Sequence, residues 1–255
     1  MKHPIDYQSL YHDELIEKNK KQREEINKVK PSEPHYRPSS SGMCSRKIYY
    51  ETILKVEPIP VDKRVQRLFR LGDLIHNDIQ QAFKKTEKND SYYNIYNIYI
   101  NNIYIEKPLV LKKIKVFGFA DLIAETKEGK IYLYDIKTVG AYPYKKLFAR
   151  SKAERQPSIH QELQVATYGL AIEKEFGRLD GMYVLYYNKD TSMLRHKEVT
   201  KYRLSTALSF WERINQEHSK NVLPTLQEGI SPVAEWECKY CPFKARCKND
   251  RVGGL

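Results

Sequence analysis

The residues with the most evident chemistry are two aspartates and a lysine in the middle of the chain. Asp121 lies in the segment GFAD, and Asp135 and Lys137 lie in DIK. Because residues i and i+2 of a strand point to the same face, Asp135 and Lys137 project together, and a hairpin partner can present Asp121 beside them. Two carboxylates can share one Mg²⁺ or Mn²⁺ ion, and the lysine can stabilise an attacking water or the charge that develops at phosphorus.

A solvated ion pair at a strand end would also explain the D-x-K triplet, because such triplets are common. Two features favour a functional site instead. Asp121 lies within the apolar run VFGFADLIA, and Asp135 lies within IYLYDIKTV. A carboxylate among apolar residues costs free energy unless it has a partner, so both positions predict that the charges serve a site.

Three other polar residues are candidates for the same site. His76 lies on the apolar face of a predicted helix, where it is either a hydrogen-bonded core residue or a metal ligand through its neutral imidazole. Gln164 and Tyr168 are four residues apart and therefore share a helix face. They either bind a DNA phosphate, orient the lysine, or form an ordinary half-buried polar pair.

Four cysteines form a second group. Cys238, Cys241 and Cys247 follow the pattern C-x2-C-x5-C, whereas Cys44 lies far upstream. Four thiolates make a complete ligand set for an iron–sulfur cluster or a structural zinc ion. Such a site would join the two ends of the chain, and its binding free energy would contribute to folding of the C-terminal segment.

The elements that must position these residues follow from apolar periodicity. Helices are predicted over 8–29, 62–86, 157–176 and 204–219, and a further one begins beside Cys44. In the second of these helices, six apolar residues share one face: Val65, Leu68, Phe69, Ile75, Ile79 and Phe83. KVFGFADLIAE and KIYLYDIKTV are predicted to form a β-hairpin, and GMYVLYYN a further strand. This order predicts an α/β fold with a central mixed β-sheet flanked by helices.

Composition restricts the class of protein. The 255 residues are 41% hydrophobic, with 44 Lys plus Arg against 32 Asp plus Glu and a net charge of +12. This basic balance favours a polyanion such as nucleic acid, although Lys-rich proteins are also common in AT-rich genomes. Neither a membrane-length apolar run nor a secretory signal is present, so a cytoplasmic location without membrane contact is expected.

In this order the motifs resemble the RecB-like branch of the PD-(D/E)XK nuclease superfamily, over about residues 38–248. The cysteine pattern is similar to the iron–sulfur subset of that branch, which includes AddB-type helicase-nuclease subunits and CRISPR-adaptation exonucleases. Asp135 stands where many relatives have Glu. The segments 1–34 and 91–104 have no counterpart in this pattern.

The resemblance implies a restriction-endonuclease-like core and a role for each matching residue. Four positions would hold Mg²⁺ or Mn²⁺: His76, Asp121, Asp135 and the main-chain carbonyl of Ile136. Lys137 would be the catalytic lysine, and Gln164 and Tyr168 would position DNA and support it. Cys44, Cys238, Cys241 and Cys247 would bind a 4Fe–4S cluster, with structural Zn²⁺ as the alternative. We call this proposed metal-bound junction with the C-terminal segment the clamp.

The predicted function is that of a metal-dependent DNA exonuclease acting on single strands or free ends, in recombination, repair or replication. A non-catalytic DNA-binding or assembly module and a flap or structure-specific endonuclease remain as alternatives. A helicase or recombination protein is a candidate partner, because the chain carries no G-x4-G-K-[ST] motif of its own. Residues 1–37 are expected to form a charged arm and linker, and residues 38–255 the nuclease domain, with the clamp formed by Cys44 and residues 230–250.

Overall fold

The computed structural model describes residues 7–33, 35–87, 99–151, 158–226 and 235–252, with the backbone alone at 7–10, 235–236 and 251–252. Most of the Tyr/Asn-rich stretch 91–104 therefore lies outside the described residues. Its last residues, from Ile100 onward, begin the first strand of the sheet.

A five-stranded sheet with strand order β1-β2-β3-β4-β5 forms the centre of the molecule. The strands are β1 (Ile100–Leu111), β2 (Val116–Thr126), β3 (Ile131–Val139), β4 (Gly181–Asn188) and β5 (Leu194–Glu198). Only the β3–β4 pair is parallel, and the other three pairs are antiparallel. The sheet is therefore mixed, and helices flank it, which confirms the predicted fold class.

The predicted hairpin is formed by β2 and β3. Its turn closes through a hydrogen bond from the Thr126 N–H to the Lys130 carbonyl at 2.9 Å. Gly129 occupies the turn with a φ of +73°, a left-handed conformation that glycine adopts without strain. The hairpin brings the GFAD and DIK segments onto adjacent strands.

Eight helices accompany the sheet in the described part of the chain. They are α1 (Tyr7–Val29), α2 (Ser45–Thr52), α3 (Lys63–Lys84), α4 (Ala141–Leu147), α5 (Ile159–Phe176), α6 (Tyr202–His218), α7 (Glu235–Lys239) and α8 (Lys244–Val252). The four long predicted helices are present to within three residues at each end. The short α4 and β5 had no clear sequence signal.

Helix α5 connects β3 to β4 and is the central helix of the core. Val165, Ala166 and Ile172 are fully buried. Gly169 permits this close packing, because a Cβ there would lie 2.6 Å from Met182 Sδ and 2.9 Å from Leu204 Cδ2. The burial of α5 fixes the face that carries Gln164 and Tyr168.

Only part of the apolar face of α3 packs on the sheet. Ile75, Ile79 and Phe83 contact an apolar cluster around Ile136 of β3. Val65, Leu68 and Phe69 are exposed instead, with Phe69 at 59%. The periodicity predicted the helix correctly, but the described residues bury only its second half.

Helix α1 packs on α3 and buries Leu15. The chain then enters the core at Tyr36, which pairs with Val116 and whose hydroxyl lies 3.1 Å from Nδ1 of His218. Tyr36 lies just before the boundary predicted at residue 38, and that boundary stays a prediction. None of the described helices is long and apolar enough to cross a membrane.

Candidate active site and cysteine cavity

The register of the sheet places three carboxylates side by side. Leu122 of β2 pairs with Tyr134 of β3, so Asp121 and Asp135 are neighbours across the hairpin. On the other side of β2, Ile105 pairs with Leu122 and Lys107 pairs with Ala120, so Glu106 is opposite Asp121. Opposite residues of adjacent strands share a face, so β1, β2 and β3 form a row of acidic groups.

Asp121 is held by the backbone of the neighbouring strand. Its Oδ2 accepts a hydrogen bond from the Ile136 N–H at 2.7 Å. The same oxygen lies 3.8 Å from Nδ1 of His76, which is contributed by α3. The structure therefore brings the predicted histidine to the predicted hairpin.

Asp135 is fully buried and has two side-chain neighbours. Its Oδ1 accepts a hydrogen bond from Nε2 of Gln164 at 3.1 Å. Its Oδ2 lies 2.6 Å from Nζ of Lys137 but accepts no well-directed hydrogen bond from the described residues. Gln164 therefore links helix α5 to the site through Asp135, and Tyr168 lies one turn further along the same helix face.

Burial dominates the electrostatics of the two aspartates. It raises the pKa of Asp121 to about 6, although the charge of Lys137 and the hydrogen bond from Ile136 oppose the shift. Burial also raises the pKa of Asp135 to about 6, opposed by Lys137 and reinforced by the charge of Asp121. Two carboxylates that disfavour each other's ionisation are stabilised by a bound cation.

The other two charged groups respond to the same environment. Burial lowers the pKa of His76, and the charge of Lys137 lowers it further, so the imidazole is neutral, as a metal ligand must be. Burial alone would lower the pKa of Lys137, but the charges of Asp135 and Asp121 outweigh it and raise the pKa. Lys137 therefore keeps its proton at neutral pH beside Asp135.

The chemistry of this donor set fits a hard divalent cation. Two carboxylates and a neutral imidazole converge, and one buried oxygen of Asp135 has no hydrogen-bond donor of good geometry in the described ranges. As the side chains stand, however, the described residues include no three His, Cys, Asp or Glu groups arranged to hold a metal ion. Binding would therefore require the carboxylates to turn away from their present partners.

Two residues at the site have no counterpart among the sequence predictions. Nε2 of Gln80, on α3, donates to Glu106 Oε1 at 2.8 Å and to the Asp121 carbonyl at 2.9 Å. Glu106 adopts a φ of +47°, which is uncommon for a residue other than glycine. Neither residue lies in a motif, so sequence reasoning had no signal for them. The register of β1 reveals Glu106, and the packing of α3 on the sheet reveals Gln80.

Two glycines set the distances between the elements of the site. A Cβ at Gly72 of α3 would lie 3.2 Å from Thr138 Oγ1, so the helix approaches the end of β3 one turn before His76. A Cβ at Gly118 of β2 would lie 2.6 Å from Pro38 Cδ and 3.5 Å from Tyr168 Cε1. The glycine of GFAD is therefore needed for close packing beside Tyr168.

The four cysteines line one cavity of about 120 Å³ at the junction of α2 with the C-terminal helices. The N–H of Cys44 donates to Glu237 Oε2 at 3.2 Å, and Nη1 of Arg46 lies 3.8 Å from Cys247 Sγ. The Tyr50 hydroxyl donates to Asp250 Oδ2 at 2.7 Å. The cavity therefore contains the upstream cysteine and the three C-terminal ones. As the side chains stand, however, no three cysteines among the described residues are arranged to hold a metal ion, so the clamp stays a prediction.

Burial favours the protonated thiol at two of the four cysteines. Burial raises the pKa of Cys44, and the nearby Glu237 and Cys247 reinforce the shift. Burial also raises the pKa of Cys241. Neighbouring thiolates repel one another in a buried cavity, and a bound cation or cluster removes that cost, so the donor set fits a thiolate-bound metal group.

The family of the chain follows from comparison with known proteins. Residues 96–248 match the family described as the PD-(D/E)XK nuclease superfamily. This range covers more than half of the chain, from the first strand to the third C-terminal cysteine. The chain belongs to the PD-(D/E)XK nuclease superfamily.

One solved structure supports the fold. The crystal structure of SSO0001 superposes with a TM-score of 0.54 at 18% sequence identity, over 95% of this chain and 98% of that chain. A structure named "Putative exonuclease" from Eubacterium rectale gives a TM-score of 0.35 at 15% identity, over 61% and 57% of the two chains, which is too low to bear on function. No curated protein matches the chain.

Proposed function

We propose that this protein is a metal-dependent exonuclease that hydrolyses DNA phosphodiester bonds on single strands or at free ends. The observation that carries the proposal is the meeting of four groups at one end of the hairpin. They are the imidazole of His76, the carboxylates of Asp121 and Asp135 and the ammonium group of Lys137. Family membership supports nuclease chemistry, and the basic composition supports a polyanionic substrate.

Each residue of the site has a part in this proposal. The groups that would hold Mg²⁺ or Mn²⁺ are His76, Asp121, Asp135 and the carbonyl of Ile136. When bound, such an ion supplies Lewis-acid chemistry at a phosphoryl oxygen. Lys137 keeps its proton and stabilises negative charge as it develops on the phosphate. Gln164 holds the orientation of Asp135 through its hydrogen bond, and Tyr168, one turn further along the same face of α5, positions the strand.

The cysteine cavity is proposed to hold a 4Fe–4S cluster, with structural Zn²⁺ as the alternative. Its ligands would be Cys44, Cys238, Cys241 and Cys247, which line one cavity. Helix α7 has five residues and α8 has nine, so this segment buries little apolar surface on its own. The role proposed for the cluster is to fix α7 and α8 against α2.

A time course on single-stranded DNA tests the proposal directly. Substrates labelled at the 5′ or the 3′ end are incubated with Mn²⁺ or with EDTA. We expect Mn²⁺-dependent shortening from an end, and no reaction in EDTA. The absence of Mn²⁺-dependent cleavage by folded protein that still binds DNA would favour a non-catalytic binding module instead.

Circular substrates separate exonuclease from endonuclease action. We expect circular single-stranded and duplex DNA to persist while linear single strands are degraded. Cleavage of the circles at a similar rate would show an endonuclease. The proposed setting is recombination, repair or replication in the cytoplasm, with a helicase or recombination protein as partner, and co-purification under native conditions tests for that partner.

A further inference from the structure

Two cavities of opposite charge meet beneath helix α1. The first, which we term the basic groove, has a volume of about 670 Å³ and is lined among others by Arg23, Lys30, Arg37, Phe117, Phe119 and Tyr168. The second, the acidic cavity, has a volume of about 530 Å³ and is lined among others by Glu25, Asp73, His76, Gln80 and Glu106. Ile26 of α1 and Phe119 of β2 line both.

Both cavities reach the candidate active site, but at different residues. The basic groove reaches it at Tyr168, whose ring lies beside Gly118 of β2. The acidic cavity reaches it at His76, which faces Asp121. The candidate active site therefore has the basic groove on one side and the acidic cavity on the other. Residues of α1 line both cavities.

The cations of the basic groove are available to a ligand. Arg23 and Lys30 are exposed and form no ion pair with the described residues, whereas Arg37 is 3.3 Å from Glu51. Arg23 and Lys30 are seven residues apart and so project from the same side of α1. Phe119 is half-buried next to them and offers a ring edge to a base.

The acidic cavity lacks such cations. Its lining contains Glu25, Asp73 and Glu106 and no lysine or arginine. Glu25 pairs with Lys28 on its own helix, and Glu106 is held by Gln80. Away from the ion proposed at His76, a phosphate backbone in this cavity would meet Glu25, Asp73 and Glu106 with no lysine or arginine in the lining, which is electrostatically unfavourable.

We propose that a single DNA strand lies in the basic groove, with its phosphates against Arg23, Lys30 and Arg37, and that the acidic cavity does not receive the strand. The inference rests on the proposed function and deepens it. A strand held on one side of the site presents its end there, whereas an internal bond would require backbone on both sides. Helix α1 is then a substrate-binding element rather than an accessory arm.

DNA binding measured in EDTA, where cleavage is not expected, tests whether the basic groove binds the strand. The double variant Arg23→Ala/Lys30→Ala and the control Lys21→Ala are compared with the parent by fluorescence anisotropy on a labelled single strand in EDTA, over a range of salt. Lys21 is also an exposed cation of α1 but lines none of the described cavities. Each lost phosphate contact lowers the salt slope by about 0.7, so we expect a slope smaller by about 1.4 and affinity roughly tenfold or more weaker at 0.1 M salt.

Photocrosslinking tests whether the strand occupies the basic groove and not the acidic cavity. A p-benzoylphenylalanine in place of Asn27 reports on the basic groove, and one in place of Gln22 reports on the acidic cavity. We expect crosslinks to the labelled strand from position 27 and not from position 22. Equal crosslinking from both positions would overturn the one-sided path.

The two proposals fail in different ways. If the double variant has the parent's circular dichroism and melting temperature and still binds DNA with the parent's affinity and salt slope, binding of the strand in the basic groove is refuted. That result would not affect the cleavage activity of the parent. Conversely, if the parent protein binds DNA through Arg23 and Lys30 but does not cleave it, the groove proposal stands and the nuclease proposal is refuted.

Discussion

Asp121 and Asp135 are carboxylates in surroundings that oppose their ionisation. Each is more protonated at pH 6 than an exposed aspartate, because burial raises both pKa values to about 6. Lys137 and the Ile136 N–H oppose this shift only in part. The free protein therefore carries a cost at neutral pH that a divalent cation would relieve.

Asp121→Asn should stabilise the metal-free protein at high pH. The folded state keeps a proton on Asp121 up to about pH 6, whereas the unfolded chain releases it near pH 4, so stability falls as pH rises through this window. Removing the charge should raise the free energy of unfolding at pH 8 by about 1–3 kcal/mol, and the gain should vanish by pH 4. Denaturant unfolding in EDTA at both pH values measures it.

The matched control is Asp78→Asn, an exposed aspartate on the same helix as His76. This substitution controls for the loss of a surface carboxylate, and it should not reproduce the gain in stability that Asp121→Asn gives at pH 8. If Asp121→Asn lowers the free energy of unfolding by the same amount at pH 8 and at pH 4, burial of the charged carboxylate carries no cost in the free protein.

Lys137→Ala should abolish cleavage without loss of DNA binding. The ammonium group lies 2.6 Å from Asp135, and its charge acts on both aspartates, so its removal takes away stabilisation of developing charge. We expect a rate at least about a hundredfold lower on end-labelled single strands, with affinity in EDTA within a factor of about three.

Lys145→Ala serves as the control, since Lys145 is an exposed lysine of α4. It should cleave at the parental rate. If Lys137→Ala also cuts at the parental rate, the hairpin is not the catalytic centre.

At the scale of elements, the site depends on how closely β2 approaches the segment before α2. Gly118 provides that approach, because a side chain there would meet the rigid ring of Pro38 at 2.6 Å. The 3₁₀ turn Pro38–Ser40 leads into Ser41, whose hydroxyl lies 2.9 Å from that of Thr167 on α5. The turn therefore connects β2 to the helix that carries Gln164 and Tyr168.

Gly118→Ala should lower both stability and activity. Overpacking of this kind typically costs about 1–3 kcal/mol, and it would displace the turn or Tyr168. Thermal unfolding and the cleavage rate on single strands measure the two effects. Gly140→Ala is the control, because its Cβ would meet its nearest neighbour at an ordinary 3.4 Å and its φ of −77° suits alanine. Equal effects of both substitutions would argue against a role for the close approach.

At the scale of the whole molecule, the cysteine cavity joins the ends of the chain. Helix α2 contacts the C-terminal helices through Cys44, Arg46 and Tyr50. The Ile59 N–H also donates to the Pro242 carbonyl at 3.2 Å. The buried rings of Tyr50 and Phe243 also pack together at this junction. A bound metal group would add its binding free energy to these contacts.

Cys241→Ser should release the C-terminal segment. Purified protein should be brown and contain about four iron atoms per chain, as a 4Fe–4S cluster requires. The variant should lose that colour and iron, and its residues after 226 should become sensitive to protease. A colourless parent with one zinc per chain would establish the zinc alternative, and a parent with neither metal would refute a metal clamp.

The sequence alone determined the long helices, the β2–β3 hairpin and the residue pairs proposed for the candidate active site. Strong 3.6- and 2-residue periodicities specified the long helices and the β2–β3 hairpin, because they encode which face is buried. The i, i+2 spacing of Asp135 and Lys137 and the i, i+4 spacing of Gln164 and Tyr168 placed each pair on one face. Such local geometry needs no tertiary information.

Tertiary structure decided which distant groups meet. The alignment of Glu106 with Asp121 depends on the register of β1, and the position of Gln80 depends on the approach of α3 at Gly72. The half-exposed face of α3 and the opposite charges of the two cavities beneath α1 were likewise not predicted. Each arises from contacts between segments far apart in the chain, and local periodicity carries no information about such contacts.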